Sequence, residues 1–191
     1  MSGDFGSRLA KAVEAAAASH QDFLARSAST ATEAAQVIRD AVQDGRTVLV
    51  FGNGGSATDA QHFATELVVR FVRVRRAVAA LALTADGAVM TAAANDLGVE
   101  AIFARQVEAL GKAGDVAVAI TTSGRSPNVV EALKVANARG MVTIALTGRD
   151  GGDAGTLAKV HVNVPSDVTA RIQEVHRTWI HAVCEWVEEG L

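Results

Sequence analysis

The sequence is short of cysteine, of proline and of long apolar runs, and each shortage excludes a class of protein. Cys184 is the only cysteine among 191 residues, so an internal disulfide framework and a zinc site built from several cysteines are excluded. The two prolines, Pro127 and Pro165, both fall at boundaries between predicted elements, and no linker divides the chain. We therefore expect a single domain over residues 1–191.

Charge and hydropathy limit the partners of the chain. No stretch has the ~20 uninterrupted apolar residues that a membrane span needs, and the opening MSGDFGSRLA lacks the apolar core of a secretion signal. The net charge of −3 provides no overall attraction to nucleic acid. These features predict a cytoplasmic protein with no membrane or nucleic-acid partner.

Arginines cluster in one short stretch, at Arg70, Arg73, Arg75 and Arg76. Such a cluster fits a solvated face or a contact between subunits about as well as it fits the steering of an anionic substrate.

Short β-branched runs alternate with amphipathic stretches along most of the chain, which is 49% hydrophobic. Strands alternating with helices predict a parallel sheet covered on both faces, hence a flavodoxin-like, three-layer α/β sandwich with five strands. Before the first strand, residues 4–44 of the segment 1–44 predict two helices, the second over about 30–43, which form a cover or an oligomerisation element. The predicted strands are 47–51, 77–83, 115–121, 141–147 and 159–164. The later predicted helices are 87–95, 99–110, 128–139 and 168–188, with 148–155 as a loop.

The stretch FGNGGSATDAQHFATEL, residues 51–67, organises the rest of the chain. Gly52, Gly54 and Gly55 permit the tight turn that leads from a buried strand into a helix. We expect Ser56 to cap this helix with Asp59 as its partner. The free backbone amides at such a helix start form an anion site.

The same turn also matches a dinucleotide fingerprint, through Gly52, Gly54 and Ala57. The match is weak, because the acidic residue expected ~20 positions further on is missing and Asp86 lies about 34 positions after Gly52. A nucleotide-binding oxidoreductase is therefore a minor alternative.

A second loop, TTSGRS, follows the third predicted strand. Short hydroxyl donors and free amides at a helix start suit a phosphate group. Ordinary capping by Ser126, with Pro127 at the first helical position, would explain one or two of these hydroxyls but not all of them. Four hydroxyls surround Gly124: those of Thr121, Thr122, Ser123 and Ser126.

Polar residues interrupt the apolar faces of two helices. His62 and Glu66 are four positions apart on the central helix, and Gln173 and His181 share a face of the last helix. Two imidazoles, a carboxylate and an amide oxygen can bind a divalent metal of borderline softness. A single histidine on such a helix is more often a packing residue, and spacing alone leaves open whether the helices meet.

Five segments carry a resemblance to a known family: GNGGSATDAQHFATELVVRF, AANDLG, TTSGRSPNV, ALTGRDGG and VPSDVTARIQEVHRTWIHAV. They occur in this order from about Ala34 to the C-terminus and resemble the phosphoheptose isomerases, which have the sugar isomerase (SIS) fold. The resemblance implies a five-stranded parallel sheet and a homotetramer with sites at subunit contacts. It also implies conversion of sedoheptulose 7-phosphate to D-glycero-D-manno-heptose 7-phosphate.

The same resemblance assigns roles to individual residues. Zinc would be held by His62, Glu66, Gln173 and His181. Substrate would contact Asn53, Gly54, Gly55, Glu66, Asn95, Asp96, Thr121, Thr122, Ser123, Ser126 and Gln173. Two features depart from the family: Thr121 stands where serine is more frequent, and VRVRRAV lacks the usual Arg-Pro pair.

The implied reaction moves a proton between adjacent carbons through an enediol, so it needs a base at carbon and an acid/base at oxygen. We expect Glu66 to act at carbon and His181 at oxygen or in ring opening. Asn95 and Asp96, predicted to lie in a loop, would orient hydroxyls, although they also fit simple helix termination. A different class of function on the same fold is a non-catalytic tetrameric adaptor of the kind that associates with a replication initiator, which would have no need for the four proposed metal ligands together.

Overall fold

Five parallel strands form one sheet between two layers of helices in the computed structural model, which describes residues 4–191. The predicted α/β class and parallel sheet are confirmed, while residues 1–3 of the predicted domain lie outside the described part. The strands run in the order β2-β1-β3-β4-β5 across the sheet. Their bounds are β1 Val48–Gly52, β2 Ala80–Ala82, β3 Val116–Thr121, β4 Val142–Gly148 and β5 Val160–Val164.

The helices divide between the two faces of the sheet. One core contains residues of the first, second and last helices, and the other contains residues of the helices between them. The helices are α1 Phe5–Gln43, α2 Gly55–Val68, α3 Gly87–Leu97, α4 Ala101–Leu110, α5 Pro127–Ala138, α6 Gly152–Leu157 and α7 Thr169–Glu188.

Successive side chains of the buried central strands point alternately to the two faces of the sheet, so each strand contributes residues to both cores. Val50 pairs in register with Val118 beneath α1, α2 and α7, while Phe51 pairs with Ala119 beneath the opposite layer. Every residue of β1 and β3 is buried, as expected for central strands of a sheet that is covered on both faces. The strand runs therefore read as continuously apolar rather than alternating.

The first helix corrects the prediction of a helical pair. α1 is one continuous helix of 39 residues, about 58 Å long at 1.5 Å per residue. The predicted break before Thr30 is wrong, because the region contains no glycine or proline and the hydroxyls of Ser27 and Thr30 both have hydrogen-bond acceptors that leave the helix intact. Thr30 donates to the Ser27 carbonyl (3.1 Å), and Ser27 donates to the Asn163 carbonyl of β5 (2.6 Å).

The start of α2 also differs from the prediction. Gly54, with φ 57°, is the residue that precedes the helix, so α2 begins two residues earlier than a Ser56 cap would require. Ser56 lies buried inside the first turn and makes no side-chain cap. The freedom of glycine to adopt positive φ explains this shift.

Three further element boundaries differ from those predicted. The predicted loop 148–155 contains the start of α6, and β2 is limited to three residues. α3 continues to Leu97, so Asn95 and Asp96 lie in its last turn rather than in a loop. No helix in the described range 4–191 has the length and apolar character that a membrane crossing requires.

The strand order determines where loops converge. β1 pairs with β2 on one side and with β3 on the other, so the chain leaves β1 at a point where the direction of sheet growth reverses. In open α/β sheets, ligands bind beyond the carboxyl ends of the strands at such a point. The loops after β1 and β3, which are GNGG and TTSGRS, therefore share one crevice.

Candidate active site between the second and last helices

The glycine turn after β1 lies between α7 and the start of α5. Asn53 exchanges two hydrogen bonds with Asn128, at 2.9 and 2.8 Å between the amide nitrogens and oxygens. On the other side, the space that a Cβ at Gly55 would fill is occupied by the side-chain amide of Gln173. The turn therefore connects the helix that follows TTSGRS with the helix that carries Gln173.

Two histidines meet across the seam between α2 and α7. The Nε2 atoms of His62 and His181 are 2.8 Å apart, and their rings meet edge to face with centroids 5.0 Å apart. Glu66, one turn along α2, places Oε1 3.8 Å from Nδ1 of His62. Since all three side chains are only partly buried, a carboxylate and two imidazoles form one connected group that solvent and a ligand can reach.

The surroundings favour a neutral His181. Burial lowers the pKa of His181, and nearby His62 and Arg177 lower it further, while Glu66 acts in the opposite direction. A neutral imidazole has one donor and one acceptor nitrogen, as an acid/base at oxygen requires.

A buried ion pair lies beside the histidines. Asp59 of α2 is 3% exposed at its side chain and accepts a hydrogen bond from the Arg177 guanidinium of α7. Burial raises the pKa of Asp59, whereas Arg177 opposes that rise.

The loop after α2 covers His181 and is held by one carboxylate. Phe71 stacks on His181 with centroids 5.4 Å apart and ring planes 24° apart. Glu188, near the end of α7, accepts hydrogen bonds from the backbone amides of Phe71, Val72 and Arg73 at 2.7, 2.9 and 2.8 Å. The loop that departs from the family pattern is therefore ordered by Glu188 rather than by a proline.

The arginine cluster divides into different environments. Arg75 is buried, with Nε 3.3 Å from Glu188, and it donates to the Glu66 carbonyl at 2.6 Å. Arg76 donates to the Val42 carbonyl of α1, and Arg70 and Arg73 are exposed. Arg75 thus supports the backbone of Glu66, which neither interpretation of the cluster anticipated.

The TTSGRS loop is folded back on itself by local hydrogen bonds. The Gly124 amide donates to Thr121 Oγ1 at 3.3 Å, and the Arg125 amide donates to Ser123 Oγ at 3.2 Å. Among the described residues, the hydroxyls of Thr122 and Ser126 make no protein hydrogen bond, and Ser126 precedes α5 without a side-chain cap. Capping therefore does not account for these hydroxyls.

A second glycine turn, residues 148–152, supports that loop. The Gly124 carbonyl accepts a hydrogen bond from the Ala154 amide at 2.9 Å, and a Cβ at Gly124 would collide with the Gly151 backbone. Arg125 forms a two-pronged pair with Asp150, at 2.6 and 2.5 Å, which lowers the pKa of Asp150 to about 2. In this conformation Arg125 is directed to Asp150.

Comparison with known proteins places this architecture in a family. The model of the SIS domain matches residues 13–148. The phosphoheptose isomerase of Aquifex aeolicus is 53% identical over 167 residues, which is 87% of each chain. This chain belongs to the phosphoheptose isomerase family of SIS-domain proteins.

Solved structures of phosphoheptose isomerases have the same fold throughout. The Neisseria gonorrhoeae enzyme is 42% identical with a TM-score of 0.92, and the match covers 97% of this chain and 100% of that one. The Francisella tularensis enzyme is 34% identical with a TM-score of 0.93, covering 97% and 99%. The family shows this chain to be a sugar-phosphate isomerase, so the adaptor alternative is not favoured.

Two residues that the family resemblance assigns to substrate binding, Asn95 and Asp96, do not contact the histidine group in the described structure. Asn95 and Asp96 are exposed near the end of α3, where Asn95 donates to the carboxylate of Asp96 at 2.6 Å. No hydrogen bond in the described part of the chain links either residue to the histidine group. Their assignment to the site remains a prediction.

The expected zinc ligands fit in part. The two imidazole Nε2 atoms converge at 2.8 Å, whereas two nitrogens bound to a tetrahedral zinc at 2.0–2.1 Å lie about 3.3 Å apart, so a small outward shift would admit the ion. Over residues 4–191, however, no group of three or more His, Cys, Asp or Glu side chains has a metal-holding arrangement. The donor chemistry suits zinc, and Glu66 and Gln173 would have to turn toward the histidines to complete the set.

Sequence reasoning missed four neighbours of the site, which are Asn128, Phe71, Arg177 and Glu188. Only Arg177 had a readable signal, since it lies midway between Gln173 and His181 at a spacing of four. The others act through contacts with residues that are distant in the sequence.

Proposed function

We propose that this protein converts D-sedoheptulose 7-phosphate to D-glycero-D-manno-heptose 7-phosphate through an enediol. The observation that carries the proposal is the connected group of Glu66, His62 and His181 next to the crevice at the ends of β1 and β3. Its membership of the phosphoheptose isomerase family agrees with this reaction. An adaptor would have no need for this group of acid/base side chains.

Glu66 takes the proton from carbon one of the ketose. His181 donates a proton to, and accepts one from, the sugar oxygens at carbons one and two. Removal of that proton forms the enediol as the oxygen at carbon two gains a proton. Return of a proton to carbon two and loss of one from the oxygen at carbon one give the aldose. Nothing is oxidised or reduced overall, so the reaction needs no nicotinamide.

Zinc is the proposed metal, held by His62, Glu66, Gln173 and His181. When bound, it would polarise the sugar carbonyl and stabilise negative charge on the enediolate. The convergence of two imidazole nitrogens supports this assignment. Since a carboxylate that binds zinc is a weaker base, Glu66 must be free of the metal while it accepts the proton.

The phosphate binds to the TTSGRS loop. Thr122 and Ser126 lack protein partners among the described contacts, and the partly buried loop opens on the shared crevice. Holding the far end of the sugar in this way positions carbons one and two for reaction.

The active assembly is a homotetramer with sites at subunit contacts. Supporting this, Phe5, Leu9 and Val13 form an exposed stripe on α1, with exposures of 75%, 53% and 60%. An apolar groove of ≈ 390 Å³ lies further along α1 against α7, between Leu24 and Trp186. Contiguous apolar surface of this kind marks a protein interface. The charged sugar phosphate, which membranes retain, supports a cytoplasmic location.

The deciding experiment uses sedoheptulose 7-phosphate with both hydrogens at carbon one replaced by deuterium. We expect heptose 7-phosphate in which part of the transferred deuterium has been exchanged for solvent protons, because the enediol route passes the proton through a side chain. Complete retention of that deuterium at carbon two would contradict the expected exchange with solvent. Absence of any product would refute the proposed reaction, and sedimentation of an active monomer would refute the tetramer.

A further inference from the structure

Three contacts follow one another along the seam between α2 and α7. Gly55 contacts the Gln173 amide, Asp59 pairs with Arg177, and His62 meets His181. Their positions are four and three residues apart on α2 and four apart on α7, so each set shares one helix face. The middle contact is the ion pair, and the outer two contain residues that the proposed function uses.

The ion pair of Asp59 and Arg177 is compatible with only one register of α7 against α2. Asp59 is buried, and its oxygen accepts from Nη2 of Arg177, which remains partly exposed at 44%. A guanidinium keeps its charge in proteins and presents its donors in a fixed fork. A buried carboxylate that lost this partner would remain desolvated without compensation. Sliding α7 by one turn would separate the charges, so the pair admits one register.

Apolar packing on the same seam is less selective. Phe63 of α2 meets Trp179 of α7 edge to face, with centroids 6.4 Å apart. Such contacts lose little when a helix shifts slightly or turns about its axis, whereas a buried charge pair has a single matching place.

We propose that Asp59 and Arg177 are a positioning pair that fixes α7 against α2, so that Gln173 and His181 face His62 and Glu66. The inference rests on the proposed isomerase function and adds to it two residues that need not touch the reacting atoms. Arg177 stands between Gln173 and His181 on α7, so any movement there carries both residues with it.

The kinetic test compares Asp59→Asn, Arg177→Gln, the double variant and Arg177→Lys. We expect kcat to fall about 10- to 100-fold in both single variants, since misplacement by about 1 Å can cost that much, while KM changes less than about threefold. The double variant should be no worse than the poorer single variant, because all three break one interaction. Arg177→Lys should recover part of kcat.

The control is Arg105→Gln, which breaks an exposed ion pair with Glu108 on α4 (2.7 Å) and should leave kcat unchanged. If Arg177→Gln fails to fold because Asp59 is left unpaired, the double variant, which buries no unpaired charge, provides the measurement. Normal kcat per folded molecule in the double variant, with only a lower Tm, would overturn the positioning role.

A readout independent of activity comes from NMR of protein labelled at the histidine rings. The signals of His62 and His181 should both move in the double variant, and that of His161, which lies on β5 and hydrogen-bonds Thr147, should not. Reduced kcat with unmoved His62 and His181 signals would also overturn the proposal, because Arg177 would then act directly on the substrate. If the wild type does not isomerise sedoheptulose 7-phosphate, the proposed function fails while the ring signals still decide the positioning role.

Discussion

The two ends of the candidate site are built in different ways. At the reacting end, long side chains from α2 and α7 meet across a seam, and His62 and His181 are 119 positions apart in the sequence. At the proposed phosphate end, short hydroxyls and backbone amides come from one continuous loop, which a second glycine turn supports. The reacting end therefore depends on the register between helices, and the phosphate end depends on local backbone conformation. Side-chain changes should mainly affect chemistry at the first, and added Cβ atoms should mainly affect folding and binding at the second.

The largest expected effect is that of Glu66→Gln at the reacting end. This substitution keeps the shape of the side chain and one oxygen but removes the proposed base. We expect kcat to fall by roughly 10²–10⁴, the usual contribution of a general base, with KM and Tm nearly unchanged. Steady-state kinetics and thermal melting measure these effects, with Glu108→Gln on α4 as control. A Glu66→Gln protein with the wild-type rate would contradict the assignment.

At the proposed phosphate end, the substitution expected to have the largest effect is Gly124→Ala. Gly124 has φ 68°, and a Cβ there would meet the Gly151 backbone. The positive φ and the forced contact together should reduce the free energy of unfolding by about 2–5 kcal/mol and raise KM for the phosphorylated sugar. Denaturant unfolding and kinetics test both parts.

Gly45→Ala is the matched control for that backbone change. Gly45 has φ 70° but no atom within 4 Å of the added Cβ, so the substitution should cost only the roughly 1–2 kcal/mol of the left-handed conformation. Its KM should not change. Equal effects at both glycines would show that the contact with Gly151 carries no weight.

His176 connects the two ends, and its titration sharpens the comparison. It is buried on α7, its Nε2 lies 3.0 Å from the Thr147 carbonyl just before the second glycine turn, and burial lowers its pKa from 6.5 to about 4. As the pH falls from about 6.5 to about 4, the unfolded chain takes up a proton that the folded chain excludes. The folded state should therefore lose about 3 kcal/mol of stability over that range.

This loss is measured as the difference between wild type and His176→Gln in unfolding experiments at several pH values. Because the difference removes contributions from other groups, it isolates His176. Equal pH dependence in the two proteins would contradict the prediction.

The smallest expected effect is that of Ser123→Ala at the phosphate end. Loss of one hydrogen bond to a charged group costs about 1–3 kcal/mol, which corresponds to a roughly 5- to 150-fold lower kcat/KM. The effect should vanish with sedoheptulose that lacks its phosphate. Equal losses on both sugars would assign Ser123 a different role.

Local signals in the sequence were sufficient for the sheet and for most element boundaries. Buried strands such as Val116–Thr121 are continuous β-branched and apolar runs, and glycines mark the turns that follow them. The clearest error is the division of residues 4–44 into two helices, the second beginning near Thr30. An alanine-rich neighbourhood without a breaker continues as one helix.

The motifs of the site were also readable, whereas their neighbours were not. His62 and Glu66 follow the glycine turn at a helical spacing, so their common face follows from the sequence. The stacking of Phe71 on His181 requires Glu188 to bind the backbone of residues 71–73 from 115 to 117 positions away. No periodicity encodes such a contact, because it depends on how α7 packs.

The pairing of α1 with α7 has a consequence for the rate of folding. Trp179 of α7 donates its indole N–H to the Ala31 carbonyl of α1 at 3.1 Å, a closure of 148 positions. Contacts of such large separation are slow to form, because the entropy of loop closure is lost before the contact stabilises the chain. The central strands need only shorter closures, so Trp179 should reach its native environment in the later stages of refolding. Since α7 also carries Gln173 and His181, recovery of catalytic activity should follow the tryptophan signal rather than the earlier gain of secondary structure.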